Sequence, residues 1–193
     1  MKLIFSLTFL LGVNTLFAQT PLWLRYPAIS PDGNTLVFNY KGDIYTVDAR
    51  GGLARPLTTH QDHDFMAVWA PDGKSIAFAS NRHGNYDIYT MPAEGGTATR
   101  LTFNSSGDTP SSIDQNGNIL FSSSRLDAAS NSQFPSGALN ELYSVNAEGK
   151  LNQVLTTPAE SAVWNKEGSK LLYHDRKGYE NQWRKHHTSS VTR

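Results

Sequence analysis

The stretch Ala67-Val-Trp-Ala-Pro-Asp-Gly73-Lys-Ser-Ile-Ala-Phe78-Ala-Ser80, continued by Asp87-Ile-Tyr89, Gly95-Gly96 and Arg100-Leu-Thr102, decides the fold. Pro71 presets φ at about −65°, Asp72 can bond its own backbone, and Gly73 accepts φ > 0, so this tripeptide reads as a tight turn. Ile76 and Phe78 follow at strand period, the mark of a strand with one buried face. Next comes an acidic-aliphatic-tyrosine strand, a Gly-Gly hairpin turn and a short strand ending at Leu101-Thr102.

The same order recurs along the chain. Pro27-Ala-Ile-Ser-Pro-Asp-Gly33, Ser111-Ser-Ile-Asp-Gln-Asn-Gly117 and Ala162-Val-Trp-Asn-Lys-Glu-Gly168 align with the turn at Gly73, the glycines falling 40, 44 and 51 residues apart. Leu36 and Phe38, Ile119 and Phe121, and Leu171 and Tyr173 repeat the apolar pair, while Asp43-Ile-Tyr45 and Glu141-Leu-Tyr143 repeat the next strand. Gly51-Gly52 and Gly149-Lys150 repeat the hairpin, and Leu57-Thr58 and Leu155-Thr156 the last strand. A period near 45 residues with four strands per unit is that of a β-propeller blade. A β-sandwich is the weaker alternative, because its hairpins need not resemble one another. The fold class is therefore all-β, a β-propeller of four-stranded blades. About three and a half blades are present, so the ring is incomplete in this chain, closed propellers having 4 to 8. An unclosed array exposes an apolar blade face and an unpaired strand edge, which favours association between copies.

Residues 1–18 read differently. Lys2 is followed by a mostly apolar run to Phe17, with the small Ala18 at its end. The run is short for a bilayer span, which needs about 20 residues, and fits a secretory signal peptide with the mature chain starting near Gln19; an uncleaved anchor is the alternative. The organisation expected is thus a leader over 1–18 and a partial propeller over 19–193, exported to the periplasm or the medium, with no membrane span after cleavage. The absence of cysteine excludes disulfides, thiol catalysis and a lipid-modified cysteine. With 17 basic and 17 acidic residues and no long run of either sign, nothing marks a nucleic-acid partner.

Catalytic chemistry is sought and not found. His60-Gln-Asp-His63-Asp64 has the residue types of a metal site but no third ligand at fixed spacing, and reads as an inter-blade loop. His186-His187, beside Arg184 and Lys185, reads as a solvated or docking loop. No serine lies in a G-x-S-x-G elbow, and the glycine pairs join strands rather than opening a helix. Asp32, Asp72, Asp43 and Asp87 recur once per unit, which suits turns and strand edges better than a single active site. No catalytic, cofactor-binding or metal-ligating residue is assigned. Two segments interrupt the repeat: Arg125–Asn140 in the third unit and the polar, aromatic stretch His174–His187 in the fourth.

Ser30-Pro-Asp-Gly33, Phe78-Ala-Ser80, Asp87-Ile-Tyr89, Gly95-Gly96 and Arg100-Leu-Thr102 resemble the blade repeat shared by TolB and the amino-terminal propeller of tricorn proteases. The start at Trp23, Phe134-Pro-Ser-Gly137 in the insertion and the segment Tyr173–Arg193 look like the opening of secreted bacterial tricorn protease homologues. That resemblance implies a non-catalytic scaffold that guides peptides or unfolded segments to a serine peptidase domain of the C-terminal processing type, located outside these residues. The competing readings are a TolB-like periplasmic binding propeller without enzymatic activity and the propeller of a dipeptidyl-peptidase relative.

Overall fold

The computed structural model describes residues 23–125, 140–156 and 159–174. Residues 1–22, with the expected leader, the interior of the Arg125–Asn140 insertion and the stretch after His174, with His186-His187, lie outside the described residues. Fourteen strands form three four-stranded antiparallel sheets and one two-stranded sheet, with no helix among the described residues. Blade 1 holds β1 (Arg25–Ile29), β2 (Thr35–Tyr40), β3 (Asp43–Asp48) and β4 (Arg55–Pro56) in sequential order. Blade 2 holds β5 (Asp64–Trp69), β6 (Ser75–Ser80), β7 (Asp87–Pro92) and β8 (Thr99–Arg100). Blade 3 holds β9 (Asp108–Ile113), β10 (Ile119–Ser123), β11 (Glu141–Val145) and β12 (Leu151–Leu155), and blade 4 only β13 (Glu160–Trp164) and β14 (Leu171–His174). Among the described residues three and a half blades are present and the ring is not closed, as the repeat predicts.

The repeat glycines sit where the turn needs them: Gly33, Gly73, Gly117 and Gly168 have φ of 75°, 70°, 81° and 68°. At Gly73 a Cβ would meet only the Pro31 ring, 3.8 Å away, so the requirement is conformational rather than steric crowding. Gly73→Val should therefore cost about 1–2 kcal/mol or more, while Lys74→Gln on the exposed neighbour stays within about 0.5 kcal/mol of the parent. Urea midpoints for the two variants check this; equal midpoints would contradict it.

The apolar pairs behave differently from the single-buried-face expectation. In blades 2 and 3 both faces of the second strand are buried, Ala77 and Ala79 as fully as Ile76 and Phe78, and Leu120 with Ile119 and Phe121. In blade 1 the intervening Val37 is fully buried while Leu36 and Phe38 are only half-buried. The reason is position in the array: an inner blade has neighbours on both sides, and blade 1 has one among the described residues. Three seams follow a common rule. The far face of each blade contributes short aliphatic groups, and the near face of the next contributes aromatic and longer ones. Val37, Ile44 and Leu57 meet Ile76, Phe78, Tyr89 and Met91 at the first seam. Ala77, Ile88 and Leu101 meet Ile119, Phe121, Tyr143 and Val145 at the second. Leu120 and Leu142 meet Ala162, Trp164, Leu171 and Tyr173 at the third.

Polar clips fix the seams in register. Asn39 donates to the Asp64 carbonyl at 2.6 Å and accepts from the Met66 N–H at 3.1 Å, Trp69 Nε1 donates to the Ala28 carbonyl at 3.1 Å, and Ser122 donates to the Ala159 carbonyl at 3.0 Å. The recurring Leu-Thr is explained too. Thr58 and Thr102 each accept from the N–H of the aliphatic residue in the acidic-aliphatic-tyrosine strand, at 3.0 and 2.9 Å, and donate to its acidic residue, Asp43 or Asp87.

Candidate functional site

The first strands of the four blades lie side by side in the order β1, β5, β9, β13. Each contains an irregularity in its pairing with the second strand: between Arg25 and Ala28, between Phe65 and Val68, at Pro110–Ser112, and between Glu160 and Val163. These are β-bulges, which bend a strand and re-aim its side chains. Three of them hold a non-glycine residue in the left-handed region, Tyr26 at φ 51°, Met66 at 54° and Ser161 at 53°. Proline cannot adopt that conformation, so blade 3, with Pro110 in this place, bulges through Ser111 instead. Left-handed geometry costs an L-residue about 1–2 kcal/mol, and such strain collects at functional sites.

The four bulges converge on one cavity of about 550 Å3. Tyr26, Met66, Pro110 and Ser161 line it, with Thr109 and Glu160 beside them. Asn140, the last residue of the third-blade insertion, also lines it and donates to Glu160 Oε1 at 3.1 Å. Aromatic rings extend its rim: Tyr26 meets Phe65 edge-on at 5.8 Å, Tyr86 meets Phe65 at 4.7 Å, and His63 stacks on Phe65 at 5.4 Å. The result is an open cavity lined by strained backbone, apolar side chains and a few hydroxyl, amide and carboxylate groups.

The acidic residues that the sequence singles out have structural partners. His60 pairs with Asp62 at 3.2 Å, the His63 Nδ1 lies 2.9 Å from the Tyr86 hydroxyl, and Asp64 is fully buried against Arg82 at 2.7 Å, so the His60–Asp64 run does not converge on one point. Among the described residues no group of three His, Asp or Glu side chains could hold a metal ion. Asp32 caps its turn: the Ser30 hydroxyl, then the Asn34 side chain and N–H, hold its carboxyl down at about 2. Asp87 lies at no edge but in the core, paired with Arg100 at 2.7 Å; burial nevertheless pushes its carboxyl up, with Arg100 pulling the other way.

Sequence reasoning missed a second repeat. Asp64 and Asp108 open the first strands of blades 2 and 3, and Arg82 and Arg125 follow the second strands 18 and 17 residues later. Each pair is an ion pair in which the carboxylate is fully buried, and each guanidinium lies over the Phe and Tyr of its own blade. The near-constant spacing was the available signal.

The sequence matches the family described as "Tricorn protease N-terminal beta propeller domain" over residues 21–193. Dipeptidyl-peptidase 5 of Porphyromonas gingivalis is 31% identical over 68 residues, covering 30% of this chain and 10% of that protein. The putative TolB structure from Agrobacterium tumefaciens superposes with a TM-score of 0.64 at 24% identity, over 78% of this chain and 54% of that one. TolB from Acinetobacter baumannii gives 0.59 at 25% identity, over 79% of this chain and 38% of that one. The chain thus spans about half or less of the proteins it resembles. A matched family region of 21–193, on blades of this topology, places the chain in the tricorn protease N-terminal β-propeller family.

Proposed function

We propose that the chain is the non-catalytic propeller portion of an exported tricorn-type serine peptidase, a scaffold whose cavity guides extended peptide segments to a peptidase domain located elsewhere. The convergence of four first-strand bulges on one cavity carries this reading, because strain held in three of the four blades at one lining is what a binding surface would retain. Family membership supports the parentage, and the leader-like residues 1–18 support export to the periplasm. A TolB-like propeller that binds folded protein without any enzyme is the second reading, favoured by the likeness to the two TolB structures.

A fluorescently labelled, permanently unfolded polypeptide, such as a reduced and alkylated protein, tests the cavity by anisotropy. Thr109→Trp, which narrows the cavity, should weaken binding by roughly tenfold or more, about 1.4 kcal/mol, while Leu53→Ala on the exposed hairpin leaves it unchanged. Mass spectrometry of the same mixture should show no cleavage. Binding indifferent to Thr109→Trp would overturn the cavity reading, peptide cleavage that persists through purification would overturn the non-catalytic one, and binding confined to folded proteins would favour the TolB-like alternative.

A further inference from the structure

The residue before the repeat glycine changes along the array: Asp32, Asp72, Asn116 and Glu167 precede Gly33, Gly73, Gly117 and Gly168. In blades 1 and 2 that residue caps its own turn. Asp32 accepts from the Ser30 hydroxyl and from the Asn34 N–H and side chain, and Asp72 Oδ1 accepts from the Lys74 N–H at 2.9 Å. In blade 3 the cap has moved two residues back, to Asp114, at the place of Ser30 and Ala70. Its Oδ1 accepts from the Asn116 and Asn118 N–H groups at 2.8 and 2.9 Å, and its Oδ2 from the Asn118 side chain at 2.8 Å. Asn165 caps blade 4 in the same way, and its side chain also holds Glu167 at 2.8 Å. The Asn116 side chain alone of the four has no hydrogen bond among the described residues, and Asn116 is exposed.

Asn116-Gly117 is also the single Asn-Gly pair of the chain, and a following glycine, having no Cβ, leaves its backbone nitrogen unhindered toward the asparagine Cγ. We propose that Asn116 is a site of spontaneous modification, deamidating through a cyclic imide formed with Gly117. The Gly117 nitrogen attacks Asn116 Cγ; the N–Cγ bond forms, the nitrogen loses its proton, and the Cγ–Nδ2 bond breaks as ammonia departs. Water then opens the five-membered imide at either carbonyl, giving aspartate or, with the main chain rerouted through the side-chain carbonyl, isoaspartate. Nothing is oxidised or reduced. The Gly117 N–H donates to the Asp114 carbonyl at 3.0 Å, so the reaction waits on local opening of an exposed turn, and the bonds to the Asp114 carboxylate restrain that opening.

The two products differ in consequence. Aspartate recreates the Asp-Gly of blades 1 and 2 and suits the same turn, taking the Asn118 N–H as Asp72 takes that of Lys74. It also adds a carboxylate to the cleft of about 510 Å3 between blades 2 and 3, which Asp72, Asp114 and Asn116 already line. Isoaspartate instead inserts a methylene into the main chain between β9 and β10, just beyond the pairing of Ile113 with Ile119. The second seam thus carries a position whose charge changes with age.

Incubating the purified chain at mildly alkaline pH, with peptide mass mapping at intervals and an isoaspartyl methyltransferase to mark the rerouted product, tests this. Asn116 should lose its amide first, with ammonia released in equal amount and a more acidic band on isoelectric focusing, while Asn104 before Ser105 and Asn146 before Ala147 keep theirs. Asn116→Gln, whose longer side chain closes the ring far less readily, should lack that acidic band. Asp114→Ala should speed the loss; if circular dichroism shows that variant unfolded, Asn118→Ala, which removes only a side-chain bond to Asp114, repeats the arm. An Asn116 that keeps its amide, or loses it no faster than Asn104 and Asn146, would overturn the proposal. A folded Asp114→Ala, or Asn118→Ala in its place, that reacts no faster than the parent would overturn the restraint assigned to Asp114.

Discussion

Asp108→Ala is expected to lower the stability of the folded chain by about 3–5 kcal/mol, the cost of leaving one partner of a buried ion pair uncompensated. Asp108 is fully buried, and Arg125 Nη2 donates to both of its carboxylate oxygens at 2.7 and 2.6 Å. The guanidinium is held besides by Ser123 Oγ, at 3.1 Å from Nε, and lies 5.0 Å from the centres of both the Phe121 and Tyr143 rings. Removing the carboxylate strands that cation between two rings in a site 8% exposed. The double variant Asp108→Leu with Arg125→Met should recover most of the loss, because buried ion pairs are often replaced by apolar pairs of similar volume without net cost. Asp64→Ala should cost less. Arg82 is more exposed, and in blade 2 Asp64 Oδ1, Ser80 Oγ and Arg82 Nε find no hydrogen-bond partner among the described residues, so less is lost. Chemical denaturation of the three variants beside the parent decides the ranking; an Asp108→Ala variant as stable as the parent would contradict it.

Phe78→Ala should cost a similar 3–5 kcal/mol, but in a different pattern. Phe78 is fully buried at the first seam, stacked on Tyr89 at 5.8 Å and packed on the far face of blade 1. Repeat arrays are stabilised by neighbour interfaces, so a lesion at one seam uncouples the units on either side. Amide exchange should therefore accelerate first in β2 and β3, with Val37 and Ile44 losing protection while β10 and β11 keep theirs. Phe121→Ala moves the break to the second seam and should expose Ile88 and Leu101 instead. Uniform loss of protection in all blades would show that the seams are not independent.

The blade pattern was legible in the sequence because its carriers act locally: a turn glycine at φ > 0 and a tyrosine on the same strand as its aliphatic neighbour need no distant partner to be recognised. The double burial of the second strands was equally present, since Leu36-Val-Phe38, Ile76-Ala-Phe78 and Ile119-Leu-Phe121 are continuous apolar runs, the signature of strands covered on both faces. Attention to the outer pair hid the middle residue. The cavity lined by the bulges was not legible. A bulge at Met66 arises from the way β5 must bend against β6 while Asn39 of another blade takes its N–H, and no short window of sequence contains both. Asp64 was visible but misgrouped with its neighbours His60 and His63, when its partner Arg82 lay 18 residues on.

The positions of two tryptophans give the molecule its own optical labels. Trp69 bridges blades 1 and 2 through its indole N–H, and Trp164 packs in the cluster between blades 3 and 4. The chain has four tryptophans; of the other two, Trp23 is in neither seam cluster and Trp183 lies outside the described residues. With those two changed to phenylalanine, ultraviolet emission at one wavelength pair would follow the opening of the first and third seams without any attached dye, each indole reddening as water reaches it.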